Sequence, residues 1–476
     1  LARNETFKLR RKEERLGEKL KVLYVSSEVE PFSKTGGLAD VAGSLPIALE
    51  RLGVDIRIVT PKYKSIKQKV GKLGENIIVY FVENPEYFHR EYLYGTPEGD
   101  YPDNLERFAY FSREVLKIAK ENNFSPDIIH CNDWQSALVP VYLKVFFKND
   151  PFFKNTKTIL TIHNLAYQGI FPKEKFPHTG LDWSFFNIDG FEFYGKVNIM
   201  KGGIIFADFI TTVSPTYSKE IQTKEFGCGL EGVLFRKRDR LTGILNGIDY
   251  EIWDPAKDPV IPCKYSSNNI QNKYVNKEFL QLETGLEISK ETPLLGIITR
   301  LADQKGLDIL APIIDTICKM DLQFILLGTG DKVYHDLFEQ IKVKYPRKTS
   351  INLRFDPELA RKIYAGIDVF LMPSRFEPCG LGQMISLKYG TIPVVRKTGG
   401  LADTIIDYEP RSDTGNGFTF TSYDSLSLLE AIKRALSVYK DKKAWMRLVK
   451  RAMGIDFSWK VSAEKYLKLY RDVLSL

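Results

Sequence analysis

From residue 21 onward the chain alternates short, almost wholly apolar runs with longer stretches whose apolar residues recur at helical spacing. KVLYVSSEV (21–29) reads as a buried strand. A glycine-bearing turn and the helical stretch LADVAGSLPIALERLG (38–53) follow it, and VDIRIVTP (54–61) is a second strand, closed by proline. Strand, turn, helix and strand make a βαβ unit. The rhythm continues through DIIHCND (127–133), a helix from Trp134, TILTIHN (158–164), a helix ending in IIFADF (204–209), and ITTVSP (210–215). Runs that are apolar on both faces and separated by helices belong to an open parallel sheet covered on both sides.

The pattern lapses over 251–292, which is rich in Pro, Lys, Asn and Glu, and reads as a linker with a surface helix near 275–285. It then restarts in PLLGIITR (293–300), LQFILLGTG (322–330), SINLRF (350–355), DVFLMPS (368–374) and TIPVVRKTGG (391–400), a second doubly wound α/β domain. The expected organisation is an arm over 1–19, a Rossmann-like domain over 20–250, the linker over 251–292, and a second Rossmann-like domain over 293–455. A closing helical stretch over 456–476 offers amphipathic surfaces for packing back on the first domain. In such sheets ligands sit beyond the carboxyl ends of the strands, so the residues just after each run are the ones to inspect.

A chain of 476 residues exceeds what one core ordinarily organises, which agrees with two domains of roughly 200 residues. No run of 18 apolar residues occurs, so neither a membrane-spanning helix nor a membrane partner is expected. Lys and Arg outnumber Asp and Glu by 68 to 60, and the excess is spread out apart from LRRKEERLGEKLK (9–21), which reads as a solvated arm. That balance suits a phosphate-bearing small ligand as well as nucleic acid. The five cysteines are odd in number, widely separated and without metal-ligand spacing, which points to a reducing compartment. No secretory h-region is visible, so the expected location is the cytoplasm, or a plastid if a leader was removed.

KTGGLAD occurs twice, at 34–40 and 397–403, each time after a strand and before a helix. Paired glycines allow close backbone approach, and a helix N-terminus favours anions, so each copy is a candidate phosphate cradle through Lys34, Gly36 and Gly37 or through Thr398, Gly399 and Gly400. Neither is a Walker A loop or a GxGxxG fingerprint, and a Gly-Gly turn by itself is more often only a turn.

With these stretches stand HCNDWQSALVP, TIHNLAYQG, NIMKGGI, TTVSPTYSKEI, GILNGID, TRLADQKGLD, PSRFEPCGLGQM and VVRKTGGLADT, in that order. On them the chain resembles the bacterial glycogen and starch synthases, retaining glucosyltransferases of glycosyltransferase family 5. The resemblance implies a GT-B fold, two Rossmann-like domains facing across a deep cleft, and transfer of glucose from ADP-glucose to O4 at the non-reducing end of an α-1,4-glucan such as glycogen, starch or a malto-oligosaccharide. It implies a phosphate clamp of Arg300 and Lys305 beyond a strand of the second domain, where a forked guanidinium and a point charge stabilise the leaving diphosphate. Lys34, Gly36 and Gly37 would approach the same diphosphate from the first domain. Glu377 would hold the donor sugar hydroxyls, with Cys379, Gly380 and Leu381 completing the wall. His163 and Asn164 would bond the donor glucose, Asp133 and Trp134 would face the acceptor, and Asp40 and Asn246 are further donor contacts.

Two departures from the wider pattern are visible. Ile385 stands eight positions after Glu377, where many related enzymes have a second glutamate. Phe355 stands where bacterial members often carry a tyrosine that stacks on adenine; phenylalanine keeps the stacking face and loses the hydroxyl. Ala39 matches the bacterial form of KTGGLAD and favours ADP-glucose. No carboxylate pair for a covalent glycosidase mechanism can be assigned; the resemblance implies front-face displacement instead. No HExxH, EF-hand or DxD-like constellation marks the site motifs, nothing marks a pyridoxal phosphate lysine as in a phosphorylase, and neither metal nor cofactor is expected.

The stretch NPEYFHREYLYGTPEGDYPDN (84–104) sets Tyr87, Tyr92, Tyr94 and Tyr101 among polar residues, a composition suited to a glucan chain or to a plain surface loop, with Tyr94 the best acceptor candidate. Without a basic stripe beside them these tyrosines argue against nucleic acid. The remaining rivals are a UDP-glucose-dependent glucosyltransferase and a non-catalytic glucan scaffold. The sequence carries no signal for an oligomeric state.

Overall fold

The computed structural model describes residues 19–475, so the basic arm expected over 1–19 lies, apart from Lys19, outside the described residues. The chain divides into two compact units. The first comprises residues up to Thr212, then Glu220–Ile244 and the segment from Trp459; the second comprises Val213–Lys219 and Leu245–Ser458.

The first unit is built on eight strands: β1 (Lys21–Val25), β2 (Asp55–Pro61), β3 (Val70–Leu73), β4 (Ile77–Val82), β5 (Ile128–Asn132), β6 (Lys157–Ile162), β7 (Phe209–Thr212) and β8 (Leu241–Gly243). Their order in the sheet is 8-7-6-5-1-2-4-3, parallel except for β3, which pairs antiparallel with β4. The inner strands are buried along nearly their whole length because helices cover both faces, which is why they read as continuous apolar runs. β3, with its alternating exposed and buried residues, is an edge strand. The helix Trp459–Leu474 packs on the helix Gly37–Arg51, and its Tyr470 hydroxyl lies 2.7 Å from Nδ1 of the buried His130 on β5.

The second unit holds a parallel six-stranded sheet of β9 (Leu294–Ile298), β10 (Gln323–Leu327), β11 (Thr349–Asn352), β12 (Val369–Met372), β13 (Ile392–Arg396) and β14 (Phe418–Phe420), in the order 11-10-9-12-13-14. In the first sheet the order turns back on itself at β1 and β5, and in the second at β9 and β12. The crevice outside such a switch point is where open α/β sheets take their ligands.

The unit boundaries differ from the sequence reading, since Val213–Lys219 and 245–250, expected in the first domain, belong to the second unit. The stretch 251–292 belongs to the second unit, and its helix, Asn272–Glu283, is packed rather than superficial. Lys273 Nζ donates to Ala365 O (2.9 Å) and Thr391 Oγ1 (2.8 Å), while Lys277 pairs with Asp368 at 2.7 Å. Polar letters conceal this burial because a lysine's long stem packs well and its head finds partners inside. Desolvation lowers the Lys273 ammonium to about 7. The strands β3, β4, β8 and β14 are additional to those expected.

Candidate active site

In the first unit, the candidate residues cluster beyond β1, β5 and β6. Asp133 follows β5 in left-handed backbone (φ 55°), a strained conformation that asparagine and aspartate tolerate best and that turns the carboxylate toward the next strand's end. There its Oδ1 accepts the His163 backbone N–H at 2.8 Å, and the Asn164 N–H donates to the same carboxylate. Burial pushes the Asp133 carboxyl up to about 7 despite those two bonds, with the Glu28 charge adding to the rise. Burial depresses the His163 imidazole to about 3, so it works as a neutral ring. Asn132 Nδ2 donates to Val25 O (2.9 Å), leaving Oδ1 to face the Tyr24 hydroxyl (3.1 Å) and His163 Nε2 (2.9 Å). The His163 Nε2 therefore carries the proton, and Nδ1 presents a lone pair.

In the second unit, Lys305 Nζ lies 2.7 Å from Glu377 Oε2, and Ser374 Oγ donates to the same oxygen at 3.0 Å. Glu377 is 7% exposed. The approach of Lys305 to β12 depends on Gly306, whose φ is +76° and where a Cβ would stand 2.0 Å from Pro373 O. Arg300 is exposed beyond β9, its Nη2 3.3 Å from Gln304 Oε1. Cys379 is buried, and desolvation raises its thiol to about 12, which removes it as a nucleophile. The backbone N–H of Asn246 meets that thiol, while Asn246 Oδ1 is buried without a hydrogen-bond partner. A half-buried cation, a buried carboxylate and an unpaired buried amide oxygen at a switch point make a site for a polyhydroxylated anion.

Residues 21–236 match the family model described as starch synthase catalytic domain, and residues 281–452 match glycosyl transferases group 1. The glycogen synthase of Geotalea daltonii is 51% identical over 480 aligned residues, covering 96% of this chain and 99% of that protein; the glycogen synthase of Thermotoga maritima is 47% identical over 487, with the same coverage. Among solved structures, the catalytic domain of starch synthase IV from Arabidopsis thaliana, bound to ADP and acarbose, superimposes with a TM-score of 0.87 at 36% identity, over 96% of this chain and all of that one. The chain belongs to the glycogen and starch synthase family. Its fold is accordingly the two-domain GT-B fold.

Within this glycogen and starch synthase framework the two KTGGLAD copies differ. At 34–37 the loop is exposed: Lys34 Nζ pairs with Asp40 at 2.6 Å, and nothing lies within 4 Å of a Cβ built on Gly36 or Gly37. At 397–403 Thr398, Gly399 and Gly400 are buried. The Gly400 N–H donates to Glu377 O (3.0 Å), and a Cβ on Gly399 or Gly400 would come within 2.0 Å of Glu377 O or Cys379 O. This copy shapes the Glu377–Cys379 segment from behind, and the N–H of Gly400 is already engaged. Asp403 accepts from Thr216 N (2.8 Å) and Thr216 Oγ1 (2.7 Å).

Other candidates fall as follows. Phe355 is 86% exposed just beyond β11, its ring free to stack. Gly380, in left-handed backbone, and Leu381 lead into the helix Gly382–Lys388, where Ile385 is part of the apolar core. Asn164 Oδ1 accepts from Ala166 N in a tight turn. Trp134 is only 8% exposed and packs edge-on against Phe108 and Phe171, so its ring belongs to the core. The Tyr94 hydroxyl is bound to Ser27 and Glu28, leaving its ring for any glucan contact. Glu28 was not among the sequence candidates. Its place in SSEVE, directly after β1, is the one signal that could have found it. Among the described residues no group of three His, Cys, Asp or Glu is arranged for a metal ion, and no helix is long and apolar enough to cross a membrane.

Proposed function

We propose that this chain transfers glucose from ADP-glucose to the 4-hydroxyl at the non-reducing end of an α-1,4-glucan, with retention of configuration. The observation that carries the reading is the ion pair between half-buried Lys305 and buried Glu377 at the second sheet's switch point, in a chain half identical to a glycogen synthase.

On this reading Arg300 and Lys305 stabilise the charge that gathers on the diphosphate as the C1–O bond breaks, and Lys34 is a further donor-binding cation. Glu377 accepts from the donor sugar hydroxyls once Lys305 turns to the phosphate. The neutral His163 offers a hydrogen bond to the glucose that survives down to acid pH, and Asp133 supports it through the His163 and Asn164 N–H groups. The acceptor oxygen attacks the face from which ADP departs, and its proton passes to a phosphate oxygen of the leaving group, so no side chain becomes glucosylated. Phe355 offers a stacking surface for adenine. Five free cysteines, three of them buried, support a reducing compartment, and the cytoplasm is the location this reading favours.

The test is glucose incorporation into glycogen from ADP-glucose and, separately, UDP-glucose at matched concentrations, with EDTA present, in wild type and Glu377→Ala. Strong ADP-glucose transfer that survives EDTA and collapses in the variant is expected. Preference for UDP-glucose overturns the donor assignment, and no transfer from either donor overturns the activity.

A further inference from the structure

A single buried carboxylate ties together two parts of the first unit that lie far apart in the chain. Glu28, just beyond β1, is 4% exposed. Its Oε2 accepts the backbone N–H groups of Thr35 (2.6 Å) and Gly36 (3.2 Å); its Oε1 accepts the hydroxyls of Thr35 (2.8 Å) and Tyr94 (2.9 Å). The Tyr94 hydroxyl is also 2.7 Å from Ser27 Oγ. All four donors to Glu28 are neutral. A carboxylate removed from water among neutral donors is costly and persists only where each acceptor position is filled, so this one specifies a geometry.

The tyrosine end of the bond is braced independently. Arg107, fully buried, donates to Tyr87 O (2.7 Å), Leu93 O (2.9 Å) and Asn104 Oδ1 (2.6 Å), and Asn104 Nδ2 donates to Tyr94 O at 2.8 Å. The loop over 84–104 is thus fixed by its own interior, and the Glu28 bond connects a firm body to the exposed Lys34–Gly37 loop. The loop's glycines cannot hold it in place, since nothing packs on them.

We propose that Glu28 is a positioning residue for transfer: one carboxylate sets the donor-side Lys34–Gly37 loop and the acceptor-side Tyr94 in a common register. This rests on the function proposed above. Thr35→Val deletes a donor on the loop side alone, Tyr94→Phe a donor on the tyrosine side alone, and Glu28→Gln disturbs both.

The measurement is steady-state kinetics with ADP-glucose and a malto-oligosaccharide, alongside thermal unfolding, for these three variants and for Glu28→Gln/Tyr94→Phe. Thr35→Val should raise KM for ADP-glucose by about fivefold with the acceptor KM unchanged, and Tyr94→Phe should do the reverse. Glu28→Gln should raise both by about tenfold. Adding Tyr94→Phe to it should change the acceptor KM by less than about twofold, since that hydroxyl's bond to the carboxylate is already disturbed. A Glu28→Gln protein with both KM values near wild type and only a lower Tm overturns the proposal, as do losses that multiply in the double variant. Should Glu28→Gln fail to fold, the two single-donor variants decide: a split between the two KM values upholds the proposal, and equal effects or none overturn it. A wild type that transfers no glucose overturns the functional reading and this proposal with it.

Discussion

The heptapeptide KTGGLAD is used twice, and the two uses have little in common beyond a helix that begins within each. In both, the chain leaves a strand in extended conformation and enters a helix, Gly37–Arg51 in one case and Gly399–Thr404 in the other. In the first copy the missing side chains leave open space beside an exposed lysine. In the second that space is already filled by the backbone of Glu377 and Cys379. The same letters take different backbone at the corresponding glycine, φ −153° at Gly36 and +45° at Gly399, and the surroundings decide whether a glycine admits something from outside or lets the chain pack against itself.

The sharpest way to break this comparison is to put a methyl group on each copy. Gly400→Ala drives a Cβ into Cys379 and should cost about 2–3 kcal/mol in urea unfolding, with about 100-fold lower activity as Glu377 shifts. Gly36→Ala, with φ −153° and nothing nearby, should stay within about 0.5 kcal/mol of wild type. Equal stabilities for the two variants would end the distinction. Next come the lysines: Lys34→Ala is expected to raise KM for ADP-glucose about tenfold, whereas Lys397→Ala should leave it within about twofold.

The aspartates should differ in stability. Asp403 accepts two hydrogen bonds from Thr216, and Asp403→Ala should cost about 1–2 kcal/mol; Asp40 holds only an exposed ion pair, and Asp40→Ala should cost no more than about 0.5 kcal/mol. Chemical denaturation of the two variants measures the gap.

A further expected effect is one of pH, and it concerns the first unit's site. With the Asp133 carboxyl at about 7 when folded, against its ordinary 3.8, the folded protein retains a proton that the unfolded chain releases between those values. Its contribution to stability is complete below the lower value and lost as pH rises through the upper one. Asp133→Asn cannot lose it, so the Tm of that variant relative to wild type should climb between pH 5 and pH 8.

Much of this was legible in the sequence because each strand is an apolar run cut off by polar letters, and Asp133, His163, Arg300 and Glu377 all stand where a run ends. Glu28 also stands there, but what distinguishes it is hydrogen bonds to residues 7, 8 and 66 positions away, which no local pattern encodes. Trp134 follows Asp133 in the chain, yet Asp133 takes left-handed backbone (φ 55°), and the ring turns into an aromatic cluster while the carboxylate turns to His163. Nor could the identity of the two heptapeptides disclose that one is exposed and the other buried.

The helix Trp459–Leu474 is translated after the whole second unit yet completes the first. Tyr470 is the partner of His130, 340 positions earlier, and Tyr466 lies against the same imidazole. A growing chain therefore emerges with its first sheet uncapped, an apolar strip waiting while a complete second sheet is synthesised. A chain cut near 458 would leave that strip bare and His130 Nδ1 without its Tyr470 partner. The first unit is thus not separable at the genetic level by simple truncation, and a version carrying 459–474 grafted behind residue 244 is the form in which it could be made alone.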